Sequence, residues 1–345
     1  MNPPLGVGIL GAGPVTQAIH IPTLARLADL FTVVNVMDVV PTVAETVAAR
    51  VGARASTRLD EVLDDPSVDV VAICSPPQFH ADQVEAAIRA GKRAILCEKP
   101  FTVSRVEAER LALLSQEANV PIVVGAMHVF DPGWLAAAQE WDEPSTAVRF
   151  VRSSIVLPLN ARYENWATQI HPRSRGGEQS STHDMRSQAA ALRDGVLTLA
   201  IHNLPLVRRF APEIERVVFA KSLLPYGYAI TLDAGNRIVE LLGLMHKQWR
   251  PEWTLDVWAE ATSLHVAFPP SYVQAGSATA TVSRPDRSRV FGPYATNGYL
   301  GEWRHLWELV DGGGQPPEEI ATIVDDLSYA IGIADNCVES VLAGG

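Results

Sequence analysis

From residue 5 to about residue 130, short aliphatic and β-branched runs alternate with amphipathic stretches. LGVGILGAG, FTVVNVMD, VDVVAICSP, RAILCEKP and PIVVGAMHVF are apolar almost throughout, and segments such as HADQVEAAIRAG and VSRVEAERLALLSQEANV lie between them. Unbroken apolar runs read as strands covered on both faces, as in a parallel sheet. Strands alternating with helices of that length predict right-handed βαβ crossovers. After Pro132 the pattern changes to FVRSSIVLP, RVVFAKSLLP, YAITLDAG, RIVELLGLM, LDVWAEAT, SLHVAFPP and SATATVSR, joined by Gly, Asn and Pro turns. These predict an antiparallel meander, with one helix from about Met185 to Phe210 and another from about Pro317 to Val341.

Length agrees with this division, because 345 residues exceed what one hydrophobic core usually serves. The expected domains are 1–132, 133–316, and a C-terminal helix over 317–345 that packs back on the first. Residues 160–184, with HPRSRGGEQSSTHD, are polar and long for an internal connection, the character of a lid, an oligomer arm or a disordered segment. Apolar residues make up 47% and charged residues 19%, which excludes disorder. A net charge of −11 with no basic run argues against nucleic acid as a partner. No apolar stretch approaches a membrane span and no leader precedes the first strand, so the expected location is cytoplasmic. Cys74, Cys97 and Cys337 are odd in number and widely spaced, which suits reduced thiols better than disulfides or a metal site.

The first strand ends in Gly11-Ala12-Gly13-Pro14-Val15-Thr16 with a helix after it, the context of a dinucleotide fingerprint. Gly11 can make the tight turn and Gly13 admits a pyrophosphate. Pro14 fits the first helical position, and the N–H groups of Val15 and Thr16 point to phosphate at the positive helix end. Thr16 replaces the third glycine, so G-x-G alone is compatible with a bare strand-to-helix turn. Asp38 adds to the case, since an acidic residue ending the second strand binds ribose hydroxyls. Val39, Val40 and Pro41 follow, and Arg50 is the nearest downstream base, which favours NAD over NADP. The expected fold is therefore an α/β Rossmann domain followed by an α+β domain with a large, mainly antiparallel sheet.

Further blocks resemble the glucose-fructose oxidoreductase/inositol dehydrogenase (Gfo/Idh/MocA) family, densely over residues 5–132 and thinly beyond. Cys74-Ser75-Pro76-Pro77-Gln78-Phe79-His80 is similar to the family's T-P-N-x-x-H turn beside the cofactor, and Ala90 to Pro100 is close to its A-G-K-H-V-x-C-E-K-P. The resemblance implies that Lys99 is the active-site lysine, that Ser75, Pro76, His80 and Glu98 lie at the cofactor, and that the Lys99–Pro100 bond is cis. The residues themselves admit two readings. A lysine at the carboxyl end of a parallel strand can exchange a proton with an alkoxide; a solvated Lys99–Glu98 ion pair is the alternative. The family also carries D-x-x-x-H on a helix of its second domain. Here His202 is kept and Thr198 takes the aspartate's place; a threonine can orient an imidazole but cannot stabilise its cation. A histidine in an apolar helix also reads as a core residue. His128, in GAMHVFDP, is a substrate contact or a strand-end residue. Tyr163, Trp166 and His183 are lid residues or aromatic core anchors.

Together these imply reversible hydride transfer between NAD and a secondary alcohol or ketone of a sugar, cyclitol or related polyol, Lys99 handling the proton and His202 assisting. The rivals are redox-neutral elimination or epimerisation through transient oxidation by bound NAD, and a non-catalytic nucleotide or sugar sensor. Self-association as a dimer or tetramer through the broad second-domain sheet is expected.

Overall fold

The computed structural model describes residues 3–172, 184–245, 250–312 and 314–343. Contacts divide the chain into two compact units. The first comprises Met1–Ala126, Tyr163–Arg175 and Tyr299–Leu327; the second comprises Met127–Arg162, Gly176–Gly298 and Ser328–Gly345.

In the first unit, six strands form a parallel sheet: β1 (Leu5–Leu10), β2 (Phe31–Met37), β3 (Arg54–Ser56), β4 (Val70–Ile73), β5 (Ala94–Glu98) and β6 (Ile122–Gly125). The order is β3-β2-β1-β4-β5-β6. β1, β4 and the first four residues of β5 are wholly buried, which explains their uninterrupted apolar sequence. β3 escapes a reading by pattern because it is three residues long and two of them are exposed. The strand order reverses between β1 and β4, where open α/β sheets bind ligands. Glu98 closes β5 in register with Gly125 of β6, and the Lys99–Pro100 bond that follows is cis. Of the long polar segment, the described residues 163–172, which include most of the helix Ala161–Ala167, fall with this unit. Residues 173–183, His183 included, lie outside the described residues.

The second unit is built on an eight-stranded sheet: β7 (Val148–Leu157), β8 (Arg216–Ser222), β9 (Gly227–Asp233), β10 (Ile238–Met245), β11 (Glu252–Ala259), β12 (Ser263–Ala267), β13 (Thr279–Arg284) and β14 (Arg287–Phe291). The order β14-β13-β12-β11-β7-β10-β9-β8 corrects the simple meander. β7 lies between β10 and β11, parallel to the first and antiparallel to the second. β10 alternates half-buried and buried along its length, so Val239 and Leu241 face a covered side. Each such aliphatic side chain contributes about 1.5–3 kcal/mol by leaving water.

Three further elements have no forecast in the pattern. β14 has four exposed residues and is a polar edge with no apolar face to signal it. The helix Pro132–Glu140 is announced only by its cap: Asp131 accepts from the N–H groups of Gly133 and Trp134, with proline in the first turn. The helix Gly298–Asp311 opens Gly-Tyr-Leu-Gly, a start of poor helix propensity. The single helix expected over Met185–Phe210 is instead broken into Met185–Thr198, a 3₁₀ turn Ala200–His202, and Leu204–Phe210. Pro205 supplies the reason, because it lacks an N–H and its ring opposes the carbonyl four residues back.

Candidate active site

The glycine turn is shaped for a ligand. Gly11 has φ +93°, and a Cβ there would stand 2.8 Å from the backbone of Cys74 and Ser75. At Gly13 an added Cβ meets nothing within 4 Å, so the backbone faces open space. One Asp38 carboxylate oxygen accepts from Ala12 N at 2.9 Å and the other from Val40 N at 2.9 Å, which ties the end of β2 to the turn. Thr16 is fully buried and donates its hydroxyl to Gly11 O at 2.6 Å, closing the turn where the third glycine would stand. Val15 precedes a π-helical turn, Thr16–His20, whose wide ring admits these side chains. Buried Gln17 donates to Ala12 O and His171 O and accepts from His171 N and Arg50. Arg50 is thereby engaged beside the turn, while Val39 beyond Asp38 is 78% exposed.

The turn after β4 is fastened to the lysine block. The two ring nitrogens of buried His80 lie 2.8 Å from Pro100 O and 2.8 Å from Ser75 O, a strut between two backbone turns. Ser75 donates to Gln83 at 2.6 Å, and Pro76 leads in extended conformation into a 3₁₀ turn, Pro77–Phe79. At the end of β5 the Glu98 carboxylate accepts from Lys99 N at 3.2 Å and meets His20 Nε2 at 3.0 Å. Gly125 makes room for it, since a Cβ there would come within 3.1 Å of that carboxylate. Burial alone would raise the Glu98 pKa, but the His20 hydrogen bond and the Lys99 charge outweigh it and hold it below its ordinary range.

His20, Trp303 and Glu302 are site neighbours that sequence reasoning missed. His20 is fully buried and its Nδ1 receives the Trp303 indole N–H at 3.1 Å, from 283 residues away. Burial opposes a charge on the ring, while Cys74 and Glu98 pull its pKa upward past that penalty. The indole decides otherwise: it can only donate, so Nδ1 carries a lone pair and the ring proton sits on Nε2, facing Glu98. A neutral Cys74 thiol exerts no such full pull. Glu302 is buried, and neither carboxyl oxygen has a hydrogen-bond partner among the described residues. Burial raises its pKa well above the carboxylate range, so it is a neutral acid.

In the second unit, Asn203 organises a cluster. Its Oδ1 accepts from Trp253 Nε1 at 3.2 Å and faces His128 Nδ1 at 2.7 Å, while its Nδ2 donates to Ser153. The donor-only indole orients the amide, so His128 is the Nδ1–H tautomer. Burial, partly offset by Asn203, lowers its pKa to about 3. The ring stacks on Phe268 with centroids 3.8 Å apart and meets Trp253 edge-on at 4.6 Å. His202 is half-buried on the 3₁₀ turn, 5.4 Å from Trp253 and 6.4 Å from His128 by ring centroids. Thr198 donates to Asp194 O at 2.7 Å and pairs with the Tyr226 hydroxyl. Tyr163 and Trp166 group with the first unit, not with this cluster; Tyr163 is buried and meets the 68%-exposed Trp166 edge-on at 5.4 Å.

Comparison with known proteins bears on the first unit above all. Residues 5–126 match the model described as an oxidoreductase family with an NAD-binding Rossmann fold. An inositol 2-dehydrogenase of Rhizobium meliloti is 32% identical over 136 residues, 39% of this chain and 40% of that protein. The NAD(+)-dependent scyllo-inositol 2-dehydrogenase of Bacillus subtilis is 38% identical over 82 residues, 24% of each. The matched stretches take in 44% or less of the curated relatives' lengths. Across 95% of this chain and 96% of the other, a 3-ketoreductase from Actinomadura kijaniata solved with NADP superposes with TM-score 0.71 at 19% identity, a likeness of fold. No helix among the described residues is long and apolar enough to cross a membrane. Residues 5–126, with the Glu98-Lys99-Pro100 block at the end of β5, match the Gfo/Idh/MocA oxidoreductase family over its NAD-binding Rossmann fold.

Proposed function

We propose that the protein is an NAD-dependent oxidoreductase that moves a hydride between nicotinamide and a secondary alcohol or ketone of a sugar, cyclitol or related polyol. The observation that carries this reading is Lys99 at the carboxyl end of β5, beside an ionised Glu98, in the same sheet as a glycine turn that opens onto space at Gly13. The dinucleotide, when bound, supplies the redox chemistry. Gly11, Gly13, Val15 and Thr16 hold the turn for its pyrophosphate, and Asp38 offers its carboxylate to the ribose. Lys99 gives a proton to the forming alkoxide, or takes one from the alcohol in the reverse direction. His128, neutral at ordinary pH, serves as a fixed hydrogen-bonding partner for a substrate hydroxyl, and His202 assists.

NAD is favoured over NADP by Asp38, by exposed Val39 and Val40, and by the engagement of Arg50 with Gln17. The named inositol dehydrogenases among the relatives support a polyol substrate. The exposed apolar residues Val218, Phe219 and Trp258 on β8 and β11 support self-association through the second-unit sheet. A sensor is the second reading, favoured by the Thr198 hydroxyl being spent on Asp194 and Tyr226.

The test is a screen of sugars, cyclitols and their keto forms for NADH formation or consumption, with Lys99→Ala as control. Turnover should fall about 10²-fold or more while NADH binding persists. An unaffected Lys99→Ala removes the catalytic reading, and equal calorimetric affinity for NADP(H) removes the cofactor preference.

A further inference from the structure

We propose that His20 is a positioning residue for Lys99: set by Trp303 as a neutral bridge, it holds the Glu98 carboxylate where that carboxylate accepts from the Lys99 backbone N–H and sets its charge beside the lysine. The proposal rests on the hydride-transfer reading for its effect on turnover, and on geometry alone for the state of the imidazole.

Three contacts build the chain. Trp303 Nε1 donates to His20 Nδ1 at 3.1 Å, His20 Nε2 donates to Glu98 Oε1 at 3.0 Å, and Glu98 Oε2 accepts from Lys99 N at 3.2 Å. The order of donors runs one way because the indole has no acceptor. Trp303 is itself fixed, fully buried and edge-on to Phe31 with centroids 5.1 Å apart. Gly125 closes the remaining side of the carboxylate. A residue in the helix Gly298–Asp311 thus reaches the start of the dinucleotide helix and, through one imidazole and the Glu98 carboxylate, the backbone of Lys99.

The nearby Glu98 charge favours a cation at His20, and the indole N–H facing Nδ1 opposes it. The titratable groups that face this cluster are Cys74, Cys97, Glu98, Lys99 and Glu302. Burial keeps the Cys97 thiol and the Glu302 carboxyl protonated. With His20 neutral, Glu98 and Lys99 balance each other. A second proton on His20 would set its Nδ1–H against the indole N–H and place an uncompensated positive charge near Lys99, disfavouring the ammonium.

Trp303→Phe removes the N–H and keeps the ring against Phe31. NADH affinity should stay within about twofold, while kcat falls about tenfold and the basic limb of its pH profile moves down by about one unit. His20→Ala should lower kcat at least as far, and His20→Gln, whose amide can accept from Trp303 and donate to Glu98, should recover most of that loss. Independently of activity, protein labelled with ¹⁵N-histidine should show an unprotonated Nδ1 for His20 from pH 6 to 8, the signal assigned by its loss in His20→Gln. An imidazolium at pH 7, an unshifted pH profile in Trp303→Phe, or a His20→Gln variant as poor as His20→Ala would each overturn the proposal. A neutral Lys99→Ala alongside the expected nitrogen signal would overturn the hydride reading and leave the bridge standing.

Discussion

Replacing Glu302 by glutamine should make the protein more stable, and increasingly so as the pH rises. The side chain is 1% exposed, and neither oxygen has a hydrogen-bond partner among the described residues. Burial, the largest influence, raises its pKa and Glu98 adds to it; only a charged His20 would oppose that, and the neutral ring does not. In the unfolded chain the same carboxyl titrates near 4.3. Above that pH the unfolded state releases its proton and the folded state keeps it, so the folded state binds more protons and its stability falls with rising pH. The contribution is fully present below the unfolded pKa and is lost as pH climbs toward the folded one. The slope is about 1.4 kcal/mol per pH unit, so from pH 5 to 7 a carboxyl still protonated when folded costs about 2.7 kcal/mol.

Glutamine has nearly the same shape and no proton to lose. Its buried amide bears a desolvation cost of about 1–3 kcal/mol for a group left unpaired, comparable to that of the acid it replaces. The two proteins should therefore be nearly equal at pH 5 and diverge above it. Urea unfolding followed by circular dichroism at pH 5, 6 and 7 measures the difference directly. Parallel stability curves for the two proteins across that range would refute the reasoning, because they would mean that Glu302 is ionised or partnered in the folded state.

Gly11→Ala should destabilise the protein by about 1–3 kcal/mol through its left-handed backbone and its contact with Cys74, visible as a lower melting temperature. Gly13→Ala should leave melting unchanged, because its Cβ enters open space, and weaken NADH binding about tenfold or more by calorimetry. His128, with its pKa near 3, should show no titration between pH 5 and 8 by NMR. Because its folded pKa is depressed, its contribution to stability is present above the unfolded value of about 6.5 and is lost as pH falls, by about 1.4 kcal/mol per unit.

What was legible in the sequence is what local chemistry marks. Gly11 and Gly13 declare themselves because a turn between a buried strand and a helix needs them, and Lys99 because it directly follows an apolar strand. β7 is legible as a strand but not in its place, since nothing along Val148–Leu157 records that it lies between β10 and β11. His20 and Trp303 are invisible as a pair: each reads as an ordinary member of its helix, and only folding joins them across 283 residues.

The His202 environment shows why protonation states are harder to read than positions. The i, i+4 spacing suggests that position 198 governs the imidazole from one helix face. The chain leaves α-helical geometry after Thr198, and His202 stands on a 3₁₀ turn. The rings near it are the edge of Trp253 and a His128 held neutral by burial. Thr198→Asp would remove a hydroxyl that donates to Asp194 O and pairs with the Tyr226 hydroxyl. The surroundings of His202 are therefore set by Trp253 and by a His128 that Asn203 orients from other elements, as much as by the residue one helical turn before it.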